Sequence, residues 1–159
     1  MNIVLEGPDN SGKSTLARYL NARTGRPIIL SEGPEKHPGE INERIRRYEG
    51  FRGVIFDRHP VVSQPIYGRF RRNTEVDREL TIRFYDSRPL FIYCRGRSLE
   101  GHVKKDHDTS EHMALVNLNH DAMCQHYDEW AKDHAHIWYR VGDSMERIVN
   151  LVLGAIRED

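Results

Sequence analysis

Residues 7–14 read Gly7-Pro8-Asp9-Asn10-Ser11-Gly12-Lys13-Ser14, and Thr15 follows. The stretch matches the pattern G-x-x-x-x-G-K-[ST] at every specified position. Its glycines let the chain turn tightly and aim successive backbone N–H groups inward, which makes a cradle for phosphate. A helix over Ser14–Arg23 adds the partial positive charge of its N-terminus. Lys13 then reaches the β- and γ-phosphates of a nucleoside triphosphate, and the Ser14 hydroxyl is a natural ligand for Mg²⁺. Gly7, Asn10, Ser11, Gly12, Lys13, Ser14 and Thr15 are therefore the candidate nucleotide-binding residues. A plain Gly-rich turn would leave Lys13 unexplained, because the first turn of a helix disfavours a cation. On this reading Lys13 is a solvent-facing loop residue that serves phosphate and not the core.

Outward from the loop, short apolar runs alternate with amphipathic stretches. The runs are Ile3–Leu5, Ile28–Leu30, Val54–Phe56, Leu90–Tyr93 and Ile137–Val141, each bounded by Gly, Pro or charged residues. Short, β-branched or aromatic runs of this kind read as buried parallel strands. Between them, Ile41, Ile45 and Tyr48 share a helical face. Met113, Val116, His120, Met123, Tyr127 and Trp130 make a second stripe, and Met145, Ile148, Val149, Val152 and Ile156 a third. Strand–helix alternation predicts an α/β three-layer sandwich around a central parallel sheet of about five strands. At 159 residues, a single domain over 1–159 is expected, large enough to build a full core.

Composition narrows the function classes. No apolar run approaches the ~18–20 residues of a membrane span. The start MNIVLEG carries neither a basic leader nor a signal-peptide core, so a cytoplasmic location is expected. Cys94 and Cys124 form no CxxC pair and read as free thiols. Lys plus Arg equals Asp plus Glu at 24 each, which disfavours tight non-specific DNA binding. Residues 40–110 nonetheless hold 15 basic against 11 acidic residues, a balance compatible with a small phosphorylated ligand or with an unevenly charged solvated surface.

A second candidate site is Phe56-Asp57-Arg58-His59-Pro60, at the end of the run Val54–Phe56. An acid at the carboxyl end of a parallel strand lies at the crevice where α/β sheets bind ligands. Asp57 is the candidate acid for Mg²⁺, together with Ser14, and Arg58 the candidate phosphate clamp. The alternative is that Asp57 caps the next helix and Arg58 is a surface ion-pair partner.

EGPDNSGKST, followed about 45 residues later by VIFDRHPVVSQPIYG, resembles the thymidylate-kinase-like branch of P-loop kinases, and within it small kinases of bacteriophages. The resemblance spans roughly residues 1–97 and rests on Asp9, on Asp57-Arg58, and on Ser63 and Tyr67. It implies ATP and Mg²⁺ as cofactors and transfer of the γ-phosphoryl group to a thymidine-type pyrimidine acceptor. By match, Asp9 contacts the acceptor sugar, Arg58 holds an acceptor phosphate, and Arg95 or Arg97 belongs to a lid over the donor at 95–110. Lys13, Asp57, Arg58 and Asp9 are thus the candidate catalytic residues. The chain is shorter than cellular thymidylate kinases, and its lid segment CRGRSLEGHVKKDHDTSEH, with Lys104 and Lys105, differs from theirs.

Two acceptors fit the resemblance. One is the hydroxymethyl group of 5-hydroxymethyluracil in phage DNA, which the short chain slightly favours, with Arg44–Arg47 and Arg69–Arg72 holding the DNA backbone. The alternative is free dTMP or a related nucleotide. The expected partners are therefore ATP, a pyrimidine deoxynucleotide or modified DNA, and a second copy of the chain in a homodimer, with no membrane. In a phage-encoded protein the location becomes the host cytoplasm. Gly96 and Gly101 are candidate hinges of the lid. His102, His107 and His112 lack the spacing of a compact structural zinc site. His120, Tyr127 and Trp130 read as core packing residues. A GTPase is disfavoured by the lack of an Asn-Lys-x-Asp motif. A motor or regulatory ATPase fits Asp9 less well than transfer to a second substrate does, and a nucleotide sensor would bind ATP without turnover.

Overall fold

A computed structural model of the chain describes residues 1–97 and 110–159, with side chains outside 98–117. The elements run β1 (Ile3–Glu6), α1 (Lys13–Thr24), β2 (Ile28–Leu30), α2 (Glu40–Tyr48), β3 (Ile55–Asp57), α3 (Pro60–Tyr67), α4 (Arg78–Asp86), β4 (Leu90–Cys94), α5 (Ser110–His134), β5 (Ile137–Tyr139) and α6 (Met145–Glu158). The five strands form one parallel sheet in the order β2-β3-β1-β4-β5. The fold class is the three-layer α/β sandwich that the alternation predicts.

Most strands differ from their apolar runs by a residue or two. β1 continues through Glu6, and β3 ends on Asp57 rather than before it. β5 stops at Tyr139 instead of reaching Val141, because Asp143 accepts a hydrogen bond from the Arg140 N–H at 2.8 Å and turns the chain.

Side-chain alternation along the strands builds two cores. On one face Ile3, Leu5, Ile55, Ile92 and Cys94 pack with Leu16 and Leu20 of α1 and with Ile148, Val149 and Val152 of α6. On the other, Val4, Phe56, Phe91 and Tyr93 pack with Tyr48 of α2, Val62 and Ile66 of α3, and Tyr127 and Ala131 of α5. Burying a Leu, Ile or Val side chain contributes about 1.5–3 kcal/mol, so these interleaved faces hold β1 as the middle of the sheet. β1 is also where the topology reverses: β2 and β3 lie to one side of it, β4 and β5 to the other. Ligands of open α/β sheets bind at the carboxyl ends of strands beside such a reversal. The loop 7–12 leaves β1 at that point.

Candidate active site

Loop 7–12 is built to a narrow steric tolerance. Gly7 has φ of 150°, and a Cβ there would lie 2.1 Å from the Cys94 carbonyl oxygen. Gly12, at φ 82°, precedes α1, and a Cβ there would lie 2.8 Å from Val141. Gly12 offers no side-chain cap to α1, so the orphan N–H groups of the first turn are left for a ligand. Ser11 Oγ closes the loop on the Pro8 carbonyl at 2.8 Å.

Lys13 is the first residue of α1 and is buried, not solvent-facing. Its Nζ donates to the Pro8 carbonyl at 2.6 Å and to Ser11 Oγ at 3.0 Å. Burial is the main cause that brings its pKa down to about 8, with Arg58 adding to it. The ammonium thus rests on loop oxygens in a setting that holds its charge weakly.

β3 delivers two consecutive residues to the two ends of this loop. Asp57 is buried, and its Oδ2 accepts a hydrogen bond from Ser14 Oγ at 2.7 Å. Arg58 reaches the other way. Its Nη2 lies 2.6 Å from Asp9 Oδ1, and Nε and Nη2 donate to the Gly7 carbonyl at 3.3 and 3.2 Å. Consecutive side chains diverge because Arg58 has φ of 68°, a left-handed conformation that costs a non-glycine residue of order 1–3 kcal/mol. Neighbouring hydrogen bonds hold it there: Arg58 N–H to Leu5 O at 2.9 Å and His59 N–H to Glu6 Oε1 at 2.6 Å. Asp57 does not cap the following helix. His59 does, accepting from the Val61 N–H through Nδ1 at 3.3 Å. Burial depresses the His59 pKa to about 3, which keeps the ring neutral and able to accept.

Tyr67, at the end of α3, donates to Asp9 Oδ1 at 3.3 Å, and the Arg58 guanidinium lies over its ring at 5.0 Å. Asp9, Arg58 and Tyr67 therefore form one bonded group and Ser14 with Asp57 a second, while the Lys13 ammonium lies on the Pro8 and Ser11 oxygens of the loop. Ser63 is buried beside them on α3 and donates to the His59 carbonyl. Ser14 and Asp57 offer hydroxyl and carboxylate oxygens, the hard donors that suit Mg²⁺ when phosphates and water complete its shell.

Arg95 and Arg97 follow β4 next to the loop. A Cβ on Gly96 would lie 2.8 Å from Pro8 and 2.4 Å from Cys124 Sγ, so the packing requires a glycine there irrespective of any hinge. Arg95 lies 3.7 Å from Asp128 and is about half exposed. Of the segment 95–110 expected to form the lid, residues 98–109 lie outside the described residues, Gly101, Lys104 and Lys105 among them, as do the side chains of His102, His107 and His112. His120 is buried, with Nε2 against the Arg97 carbonyl. Both Cys94 and Cys124 are free thiols.

Two residues of this region escape a motif reading. Glu6 is fully buried, accepting from the His59 N–H and, at 3.2 Å, from the Tyr127 hydroxyl. Burial raises its pKa to about 7 against the lowering effect of those bonds. Tyr127 thus does more than pack. The available signal was the alternation: with Val4 facing the α5 layer, Glu6 two residues later must face it too. Gln64, on α3, is also buried, and its Oε1 has no hydrogen-bond partner. It lines a narrow cleft with Arg58, Ser63, Tyr48 and Glu32. The Tyr48 hydroxyl bond, followed by Arg47 at 2.5 Å, holds the Glu32 carboxyl below its ordinary range.

No protein-family model matches the chain, and no curated protein matches it in sequence. Solved structures do match its fold. YorR from Bacillus subtilis, solved in complex with phosphorylated GDP, superposes with a TM-score of 0.75 at 21% identity, covering 99% of this chain and 96% of that one. Deoxyadenosine kinase from M. mycoides, with dCMP and dCDP bound, gives 0.64 at 18% identity over 99% of both chains. Thymidylate kinase from Ehrlichia chaffeensis gives 0.52 at 17% identity, covering 99% of this chain and 98% of that one. The chain therefore has the five-stranded parallel P-loop fold that nucleoside and nucleotide kinases use.

Proposed function

We propose that the protein is a kinase that transfers the γ-phosphoryl group of ATP, with Mg²⁺, to a pyrimidine deoxynucleotide. The observation that carries this reading is the pairing of consecutive residues with opposite ends of one phosphate loop: Asp57 with Ser14 at 2.7 Å, Arg58 with Asp9 at 2.6 Å. A nucleotide-hydrolysing switch needs only the first pair. The second pair supports a site with an acceptor side as well as a donor side.

On the donor side, the first-turn N–H groups of α1 and Lys13 hold the β- and γ-phosphates, and Ser14 with Asp57 would hold Mg²⁺. The ion, when bound, supplies charge neutralisation between the phosphates. On the acceptor side, Asp9 orients the sugar and Arg58 the acceptor. Gln64 Oε1, buried and unpartnered, suits an acceptor with an N–H to donate, as thymine and uracil have. Arg95 or Arg97 would answer charge developing on the transferred group, with 95–110 closing over the donor. Catalysis in this scheme is positioning and charge stabilisation with little covalent chemistry.

A base within DNA is the other acceptor the motifs suggest, and the surface weighs against it. Arg44 is buried, bonded to Glu40 at 2.8 Å and to the Gly33 carbonyl. Arg46 pairs with Asp77 at 2.8 Å and Arg47 with Glu32 at 2.5 Å. These three are already paired within the chain, so of the two basic segments a DNA backbone would be left with Arg69, Arg71 and Arg72, and DNA affinity rises with the number of cations that meet phosphates.

The test is to incubate the protein with labelled ATP and Mg²⁺ and, separately, dTMP, dUMP, dCMP, 5-hydroxymethyl-dUMP and DNA containing 5-hydroxymethyluracil. Label is expected on a free nucleotide. Label on DNA alone, falling steeply with added salt, would establish the DNA reading instead. Label on none of them would overturn the pyrimidine acceptor.

A further inference from the structure

Among the described residues, two buried side-chain polar atoms lack a hydrogen-bond partner: Gln64 Oε1 and Arg71 Nε. The second belongs to a charged group. α3 ends at Tyr67, and the chain keeps turning, with the Arg71 N–H bonded to the Tyr67 carbonyl at 3.2 Å. That turn returns Arg71 to Tyr67, and its guanidinium carbon lies 5.3 Å from the ring centroid. The same ring carries Arg58 at 5.0 Å and donates its hydroxyl to Asp9.

The two arginines differ in how their charge is answered. Arg58 is bonded to the Asp9 carboxylate and twice to the Gly7 carbonyl. Arg71 has no carboxylate within ion-pair distance among the described residues, and its guanidinium rests on a ring face. Burial, and secondarily the charge of Arg58, hold the Arg71 pKa below its ordinary value. A half-buried cation beside another cation, with a buried N–H unspent, is a cost to the folded chain. A cation–π contact of about 0.5–2 kcal/mol offsets part of that cost. An anion arriving from outside would offset the rest.

We infer that Arg71 is the residue that binds the phosphate of the deoxynucleotide acceptor, the role that the resemblance gives to Arg58. The assignment rests on the kinase reading above and deepens it. Tyr67, Asp9 and Arg58 locate Arg71 on the acceptor side of the loop, away from the Ser14–Asp57 pair. Arg58 is held by Asp9 and orients the acceptor, and Arg71 answers its charge.

The experiment uses the full-length protein and the variants Arg71→Met and Arg71→Lys. Binding of the four deoxynucleoside monophosphates and the four parent deoxynucleosides is measured by calorimetry, with a non-hydrolysable ATP analogue titrated separately. The wild type is expected to bind at least one monophosphate more tightly than its nucleoside. Arg71→Met should weaken that monophosphate about 10- to 100-fold, leave the nucleoside and the ATP analogue unchanged, and remove the preference. Arg71→Lys should retain part of it. In the ligand-free protein, Arg71→Met should raise Tm by about 2–4 °C, because it removes a half-buried cation that no carboxylate pairs directly. A fall in Tm would mark Arg71 as structural and overturn the assignment. So would a monophosphate preference that survives in Arg71→Met, or a wild type with none. A wild type that binds no ATP analogue would overturn the kinase reading itself.

Discussion

At Lys13, burial and function pull in opposite directions. The ammonium is held on the Pro8 carbonyl and Ser11 Oγ, and burial has lowered its pKa to about 8. Bound phosphates would restore the higher value, so binding of ATP near pH 8 should take up a proton. Calorimetry in buffers of different ionisation enthalpy should detect that uptake, and affinity should fall as pH rises above about 8. Lys13→Ala should reduce turnover at least about 100-fold and abolish the uptake, while far-UV circular dichroism stays that of the wild type. Glu6 governs stability rather than binding. Its folded pKa of about 7 lies above the ordinary 4.5, so the folded state holds the proton more tightly than the unfolded one. Its contribution is fully present below about pH 4.5 and is lost as pH rises through 7. Glu6→Gln, which keeps an acceptor for the His59 N–H, should flatten that loss. Thermal melts from pH 5 to 8 should show the variant gaining on the wild type by a few kcal/mol, at about 1.4 kcal/mol for each pH unit that separates the folded and unfolded pKa.

The β3–α3 junction is the element on which the site depends. A single left-handed residue, Arg58, sends Asp57 to Ser14 and its own side chain to Asp9. Arg58→Ala keeps the backbone problem and removes the clamp, so the KM for the acceptor should rise while that for ATP holds. Asp57→Asn should instead shift the Mg²⁺ dependence of turnover to higher concentration. Opposite the junction, Gly7→Ala puts a methyl 2.1 Å from the Cys94 carbonyl in β4. The backbone of either β1 or β4 must then move, and Tm should fall further for this variant than for Lys13→Ala. Motif spacing located both ends of this arrangement, since Asp9, Ser14, Asp57 and Arg58 are all legible in the chain. It did not reveal that each acid is bonded to a residue of the other segment. Those bonds depend on the register Leu5 against Asp57 across β1 and β3.

For the whole molecule, ligand linkage is the broadest test. A nucleotide that binds only the folded chain stabilises it by about 2.7 kcal/mol at 100 times its Kd, or roughly 5–10 °C for a chain of this size. ATP with Mg²⁺ should raise Tm by that amount, EDTA should cancel most of the gain, and Lys13→Ala should show almost none. Legible in the chain alone are the α/β sandwich, the five strands to within two residues at each end, the G-x-x-x-x-G-K-S loop before α1 and the Asp57-Arg58 pair at the end of β3. Strand periodicity and loop motifs are local properties, written in residues a few positions apart. Not legible there are the burial of Lys13, the internal pairing of Arg44 with Glu40, the capping of α3 by His59 instead of Asp57, the contact of buried Glu6 with Tyr127 and the seat of Arg71 on the Tyr67 ring. Each of those depends on what another strand or helix, distant in the chain, brings against the side chain. Burial, charge pairing and desolvation are set by those neighbours, and no spacing within one segment specifies them.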